Sequence, residues 1–476
     1  MTLPGSKLGA QALAENMAEI HPPLSPRQAV IEARRCLFCF DAPCIRACPT
    51  EIDVPSFIWK IAQGNPTGAA RAILDANILG ASCARVCPTD VLCEGACVVK
   101  NLEGGPVKIG LLQRHATDHV GAGAVELIGK SAKQSKRRVA VIGGGPAGLA
   151  CAAELARLGH QAVIFEKNPK AGGLNTYGVA YYKMKPKTSL AEVELVRSLG
   201  VEIRCPIEIG SEVPISQLHE DYDAIFIGIG LGESRKLRIP GEDFEGVRPA
   251  LDFIRQIHER PHEEIPVGER VAVIGGGNTA IDAATQSRRL GAKLVTVIYH
   301  RGEKEMPAYD FEYEHAKADG VQFIFNAAVT EILSEQEEVR SLRLARTQRN
   351  SRGELEILRG SEWVETFDMV IPAIGQEKPP AALIKLFPNI ALDSRGAVQC
   401  NSLTRQTNLP KIFAGGDCAN GGREVVHAAA EGKRAARGIH TFLTGEEVTG
   451  PITASRLGGN KEETERSLEN WIRGRA

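Results

Sequence analysis

RVAVIGGGPAGLACAAELARLGHQAVIFEK, running from Arg138 to Lys167, is echoed by RVAVIGGGNTAIDAATQSRRLGAKLVTVIYHR from Arg270 to Arg301. In both copies an apolar run reads as a strand, a glycine turn follows, an apolar-faced helix comes next, and a second strand closes the unit. This predicts two nucleotide-binding units in an α/β chain whose larger part alternates strands and crossover helices in parallel sheets.

In the first unit Gly143, Gly145 and Gly148 form G-x-G-x-x-G between strand and helix. Glycine there lets the backbone turn tightly and approach a pyrophosphate, whose charge sits at the helix N-terminus. Twenty-one residues past Gly145, Glu166 ends the strand AVIFE, where a carboxylate reaches ribose hydroxyls. Taken alone, each feature also reads as ordinary strand-turn-helix packing and a solvated strand-end carboxylate.

Far downstream, IFAGGDCANGG from Ile412 sets a strand before Gly415, Gly416 and Asp417, and the helical pattern VVHAAAEGKRAARGIHTFL follows from Val425. Flavin proteins with two dinucleotide domains close their flavin site with this pattern, the aspartate holding the ribityl chain. FAD is the expected occupant of the first unit.

The second unit reads Gly275, Gly277 and Ala280, a variant that accepts a methyl where the helix meets the strand. Its second strand ends not in a carboxylate but in His300 and Arg301, with Lys304 behind. Positive charge there suits a ribose 2′-phosphate, so NADPH is favoured over NADH, although an exposed basic turn has the same sequence. Hydride transfer from nicotinamide to flavin needs no acid-base dyad. The chain contains no G-x-S-x-G elbow, H-E-x-x-H pair or Walker loop, which argues against hydrolase and phosphoryl-transfer chemistry.

At 476 residues the chain calls for several domains. Its 57 basic and 58 acidic residues nearly cancel, leaving no global field for nucleic acid or an anionic membrane. No apolar run reaches the roughly 20 residues that span a bilayer. Met1 to Pro22, with Glu15 and Glu19, lacks the build of a secretory signal, so a cytoplasmic location is expected.

Eight of the twelve cysteines lie between Cys36 and Cys97: Cys36, Cys39, Cys44 and Cys48, then Cys83, Cys87, Cys93 and Cys97. Reduced thiols at such short spacings, followed by proline at Pro49 and Pro88, fit iron-sulfur ligation better than a zinc ribbon, and disulfides least. Ser56 to Leu79 reads as an amphipathic helix between the two halves of an α-helical module. Gly121 to Arg138, polar and basic, reads as a linker. The expected domains are 1–125 with two 4Fe-4S clusters, 136–268 for FAD, 269–378 for NAD(P)H, and 379–476 for the returning FAD segment and tail.

Three segments carry a specific resemblance: CLFCFDAPCIRACPTEIDVPSFI from Cys36, GNPTGAARAILDANILGASCARVCPTDVLCEGAC from Gly64, and GGPVKIGLLQRHATD from Gly104. They resemble the N-terminal region of dihydropyrimidine dehydrogenases, with the small FAD and iron-sulfur subunit of the bacterial enzyme the nearest in shape. The glutamate synthase small subunit has a similar architecture. The resemblance implies one cluster on Cys36, Cys39, Cys44 and Cys97, and another on Cys48, Cys87, Cys93 and Gln113, with Cys83 a bystander; spacing alone leaves the pairing open.

It also implies flavin contacts at Gly143, Gly145, Pro146, Ala147, Gly148, Leu149, Glu166, Lys167, Gly173, Leu174, Gly416, Asp417 and Val425. Nicotinamide contacts are implied at Gly275, Gly277, Asn278, Thr279, Ala280, Ile281, His300, Arg301 and Gly375. The stretch GVAYYKMK from Gly178 departs from the pattern: Lys183 takes the place of a catalytic-site arginine, and Ala180 that of a proline.

About thirty residues follow Glu446, whereas a pyrimidine-reducing barrel takes roughly 250. The implied role is therefore an electron-input subunit: NAD(P)H reduces FAD, the clusters carry electrons away, and a separate FMN-bearing catalytic subunit reduces uracil or thymine. The competing expectations are a glutamate synthase small subunit and a flavin reductase carrying a zinc-stapled docking domain.

Overall fold

The computed structural model describes residues 8–129 and 134–450. These residues divide into two compact units.

The larger unit comprises residues 21–176, 186–232 and 378 onward. Its parallel sheet runs Ile412–Ala414, Ala224–Ile227, Arg138–Ile142, Gln161–Phe165, Glu202–Arg204. Strands covered on both faces must be apolar throughout, and Val139, Val141, Ile225 and Phe413 are fully buried. The downstream strand Ile412–Ala414 pairs in parallel with Ala224–Ile227, which returns the segment after residue 378 to the sheet of the first glycine loop. The helix Val425–Thr444 then crosses the glycine-loop helix Pro146–Arg157. A side chain at Gly432 would meet the Ala147 carbonyl at 2.1 Å, a distance that no Cβ tolerates, so glycine alone permits this crossing.

The cysteine module belongs to this unit. Its helices Pro26–Ala33, Val54–Ala62, Pro66–Ala76, Gly80–Val86 and Ile109–Val120 bury Phe57, Ile58, Ile73 and Leu112 together. Each of the first three starts on a side-chain cap from Ser25, Asp53 or Asn65. The single helix expected over 56–79 is in fact two: Gly64 turns left-handed at φ +74°, and Pro66 opens the next helix from its Asn65 cap. The expected linker is also partly structured, since Ala124 and Ile128 pack into one core with Val139 and Val141. Residues 130–133 lie outside the described residues.

The second unit holds residues up to Ile20, Tyr177–Lys185 and Glu233–Glu377. Its parallel sheet runs Met369–Pro372, Arg270–Ile274, Leu294–Tyr299, Gln322–Phe325, and a four-stranded antiparallel sheet over residues 327–366 accompanies it. This unit's long segment begins at Glu233, earlier than residue 269, and ends at Glu377. Leu13 and Met17 of the helix Ala10–Asn16 and Phe253 and Ile257 of the helix Ala250–Glu259 share one core with Val271 and Val273, so both helices belong here. The expected tail beyond residue 450 lies outside the described residues.

Candidate functional site

The first glycine loop is shaped by backbone contact. Gly143 stands at φ +101°, where a side chain would meet the Gly228 carbonyl at 2.5 Å, and one at Gly148 would meet the Gly143 carbonyl at 2.0 Å. Gly145 caps the helix without a side-chain acceptor, so the first-turn amides face outward as an anion site. Pro146 fixes the first helical residue, while Ala147 and Leu149 are buried beneath the loop.

Glu166 is buried; one carboxylate oxygen accepts the Gly144 amide at 2.8 Å and the other accepts Asn168 N and Nδ2 at 2.8 and 2.7 Å. The carboxylate thus fixes the loop while keeping lone pairs for a hydroxyl. Gly173 faces Gly145 so closely that a Cβ on it would stand 2.8 Å from the Gly145 Cα. Lys167 and Leu174 are exposed. Asn175, 1% exposed, has an Oδ1 with no hydrogen-bond partner, an acceptor that a bound dinucleotide is suited to satisfy.

From the far segment, Gly416 at φ +73° presents Asp417, whose carboxyl burial raises above its usual range even as it accepts the Arg423 amide. The Gly416 amide is held by Glu431 Oε2 at 2.8 Å, and Arg405 pairs with the same oxygen at 3.2 Å. Val425 begins the crossing helix without a side-chain cap. Sequence reading missed Glu431 and Asn175. The signal for Glu431 was a carboxylate within an alanine-rich helical face, which needs a partner.

In the second unit Gly275 turns beneath the Ala373 carbonyl, and a Cβ at Gly277 would meet nothing within 4 Å, leaving open space over the start of the helix Asn278–Arg289. Asn278 Oδ1 accepts the Tyr309 amide at 3.0 Å, Thr279 follows in the first turn, and Ala280 and Ile281 are fully buried. His300 and Arg301 are exposed just past the strand end. Burial first, then Arg301, lowers the His300 pKa. Gly375, at φ +94°, likewise has open space where a side chain would stand.

Lys183 is placed in the interior of this unit. Its Nζ lies 2.6 Å from Asp282 Oδ1 and 2.6 Å from Glu312 Oε1, and Tyr182 OH donates to the same Asp282 at 3.0 Å. Burial alone depresses the ammonium pKa, but the two carboxylates outweigh it and hold it above the usual lysine range. Its charge is consumed in a triad that joins 177–185 to two helices.

The cysteines fall into two groups. Cys36, Cys39, Cys44 and Cys97 line one cavity with Pro43, Val54 and Ile109. Burial raises the Cys44 thiol to about 11, with Cys36 and Cys97 adding to the effect. Cys87 is raised by a hydrogen bond with Cys83, by burial and by Cys93 and Cys48; burial raises Cys93 too. Thiols crowded this way ionise only against a cationic centre, which is the donor chemistry of a metal-sulfur core. Phe38 N donates to Cys36 Sγ at 3.5 Å, Asn77 Nδ2 to Cys83 Sγ at 3.2 Å, and Thr50 Oγ1 lies 3.3 Å from Cys48 Sγ. Gln113 gives its Nε2 to the Gly80 carbonyl at 2.7 Å, while Cys83 lies beside Cys87.

A family model described as pyridine nucleotide-disulphide oxidoreductase matches residues 137–432. The chain belongs to the pyridine nucleotide-disulphide oxidoreductases. A second model, described as dihydropyrimidine dehydrogenase domain II, 4Fe-4S cluster, matches residues 13–124, so the zinc-stapled module gives way to an iron-sulfur one. This oxidoreductase uses NAD(P)H, FAD and 4Fe-4S clusters, and belongs with electron-transfer subunits that combine the three.

Its relatives include the glutamate synthase [NADPH] small chain of Halomonas elongata, 36% identical over 92% of this chain and 95% of that one. The NAD-dependent dihydropyrimidine dehydrogenase subunit PreT of Escherichia coli K12 is 32% identical over 90% and 97%. Among solved structures, FprA of Mycobacterium tuberculosis in complex with NADPH shares the fold at TM-score 0.53 and 18% identity, over 70% of this chain and 89% of that one. Among the described residues no helix is long and apolar enough to cross a membrane.

Proposed function

We propose that this oxidoreductase is the electron-input subunit of a dihydropyrimidine dehydrogenase, delivering electrons from NAD(P)H to a separate FMN-bearing subunit that reduces uracil or thymine. The match of its whole cysteine module to dihydropyrimidine dehydrogenase domain II carries this reading. FAD, when bound, would accept one hydride, with its two electrons, and release them singly, which suits one-electron clusters.

In this reading the first glycine loop, Glu166 and Asp417 hold the flavin, and the Asn278 helix end with His300 and Arg301 holds the nicotinamide dinucleotide. Cys36, Cys39, Cys44 and Cys97 hold one cluster; Cys48, Cys87 and Cys93, with Gln113 or Cys83, hold the other. The first cysteine group supports an exit to a partner. Around it Leu37 is 65% exposed, Phe40 fully exposed and Val98 52% exposed, an apolar collar without cover among the described residues. The second group lies toward the flavin fold, since Thr50, beside Cys48, takes a bond from the crossing helix.

A second reading, the small subunit of a glutamate synthase, is favoured by the 36% identity to that chain over nearly its full length. Assays with each candidate partner separate the two. The proposal expects uracil-dependent NAD(P)H oxidation when the purified chain is mixed with a pyrimidine-type FMN subunit, and none with a glutamate synthase large subunit, glutamine and 2-oxoglutarate. The reverse pattern overturns it.

A further inference from the structure

We infer that Lys433 is a positioning residue for electron transfer: an uncompensated cation on the flavin-closing helix that sets the reduction potential of the cluster held by Cys48. The inference rests on the reading of Cys48 as a cluster ligand.

Lys433 lies two residues past Glu431, which holds the Gly416 amide, so it is anchored to the flavin loop by its own helix. Its side chain leaves that helix for the space lined by Thr50, Asp75, Ala76 and Asn77 on one side and by Ala150 and Glu154 on the other. There Nζ donates to the Ala76 carbonyl at 3.0 Å and to the Thr50 carbonyl at 3.5 Å. Ala76 ends the helix Pro66–Ala76, whose last carbonyls carry the negative end of the helix dipole and favour a cation. The hydroxyl of Thr50 in turn lies 3.3 Å from Cys48 Sγ. Two hydrogen-bonded steps therefore connect the ammonium to a sulfur.

No acid among the described residues forms an ion pair with Lys433; Glu154 and Glu51 act on it only at longer range, and burial holds its ammonium below the usual lysine pKa. Glu154 is taken by Arg437 at 2.8 Å and flanked by Arg157 at 3.8 Å, and Asp75 is taken by Arg157 at 2.8 Å. Among the described residues Lys433 has only carbonyl partners. A half-buried cation satisfied by neutral dipoles keeps its field, and at low local dielectric that field reaches across several residues. Thiolates around an iron-sulfur core carry net negative charge, and reduction adds one more electron; charge and hydrogen bonding around the sulfurs set the potential. A fixed cation on the flavin side stabilises the reduced form and makes this cluster the better acceptor from the flavin.

The test is a redox titration of the anaerobic holoprotein followed by electron paramagnetic resonance. Cys48→Ser first identifies which signal belongs to the Cys48 cluster; if both clusters survive that change unaltered, the ligand reading fails, independently of Lys433. Lys433→Met is expected to lower the midpoint of the Cys48 cluster, reducing its reduced-to-oxidised ratio at fixed potential by up to about tenfold, equivalent to 59 mV for a one-electron couple. Lys433→Arg should restore it. Glu154→Gln, which removes a negative charge from the same space, should shift it the opposite way and keeps the test decisive if Lys433→Met loses iron. An unchanged midpoint in Lys433→Met, or in Glu154→Gln where Lys433→Met holds no cluster, overturns the inference, as does an equal shift of both clusters.

Discussion

Lys183 Nζ stands 2.6 Å from Asp282 Oδ1 inside the nicotinamide unit, with Glu312 at the same distance. Removing one member of a buried ionic group leaves charge uncompensated, at a cost of roughly 3–5 kcal/mol. Lys183→Met is accordingly expected to lower the denaturant midpoint of this unit strongly. If stability holds and hydride transfer alone is lost, the residue acts in chemistry and not in the triad.

Arg301 is exposed at the end of the strand that follows the second glycine loop. A hydrogen bond between a guanidinium and a phosphate contributes about 1.5–3 kcal/mol, so Arg301→Ala should raise the Michaelis constant for NADPH by roughly 10- to 100-fold. The constant for NADH should change little. Steady-state kinetics with both nucleotides decides, and equal effects remove the case for 2′-phosphate recognition.

Phe40 is fully exposed beside the first cysteine group. An aromatic anchor at an interface contributes about 1–2 kcal/mol, so Phe40→Asp should weaken binding of the catalytic partner by roughly 5- to 30-fold. NAD(P)H oxidation with ferricyanide should remain. Unchanged partner affinity by calorimetry would move the docking site elsewhere.

His160 is joined to His440 Nδ1 and to Ser135 Oγ, each at 2.8 Å, and burial with the second imidazole pushes its pKa down to about 4. Its unfolded value is near 6.5, so between those limits the unfolded chain binds the extra proton and stability falls as pH drops through this window. The unfolding free energy should fall by up to about 1.4 kcal/mol per pH unit from this residue, and His160→Gln should flatten that slope. Thermal melts from pH 7 to 4 read it directly; a slope unaltered in the variant would assign the acid sensitivity to other groups.

Both glycine loops were legible because their spacing states a backbone requirement: at Gly143, Gly148 and Gly275 a side chain would collide with a carbonyl, whatever the rest of the fold does. The two cysteine groups were legible as a module, and the structure brings Cys36, Cys39, Cys44 and Cys97 around one cavity. What escaped reading depends on distant partners. The helix Ala10–Asn16 precedes the cysteines in sequence yet buries Leu13 and Met17 in the nicotinamide core, and nothing local records that choice. The antiparallel strands over 327–366 mix fully buried residues such as Leu342 and Leu344 with half-buried and exposed ones, a weak signal beside the fully apolar parallel strands. The partners that bury Lys183, Asp282 and Glu312, lie far downstream in sequence, so its ionic surroundings were not legible locally.

The pairing of Ile412–Ala414 with Ala224–Ile227 bears on how the protein is made. As the chain leaves the ribosome, the edge of the flavin sheet stays bare while nearly two hundred intervening residues are synthesised, long enough for the nicotinamide unit between them to fold first. Cofactor capture is thereby deferred to a late stage of synthesis, and a truncated product lacking the returning segment exposes an unpaired strand prone to aggregation.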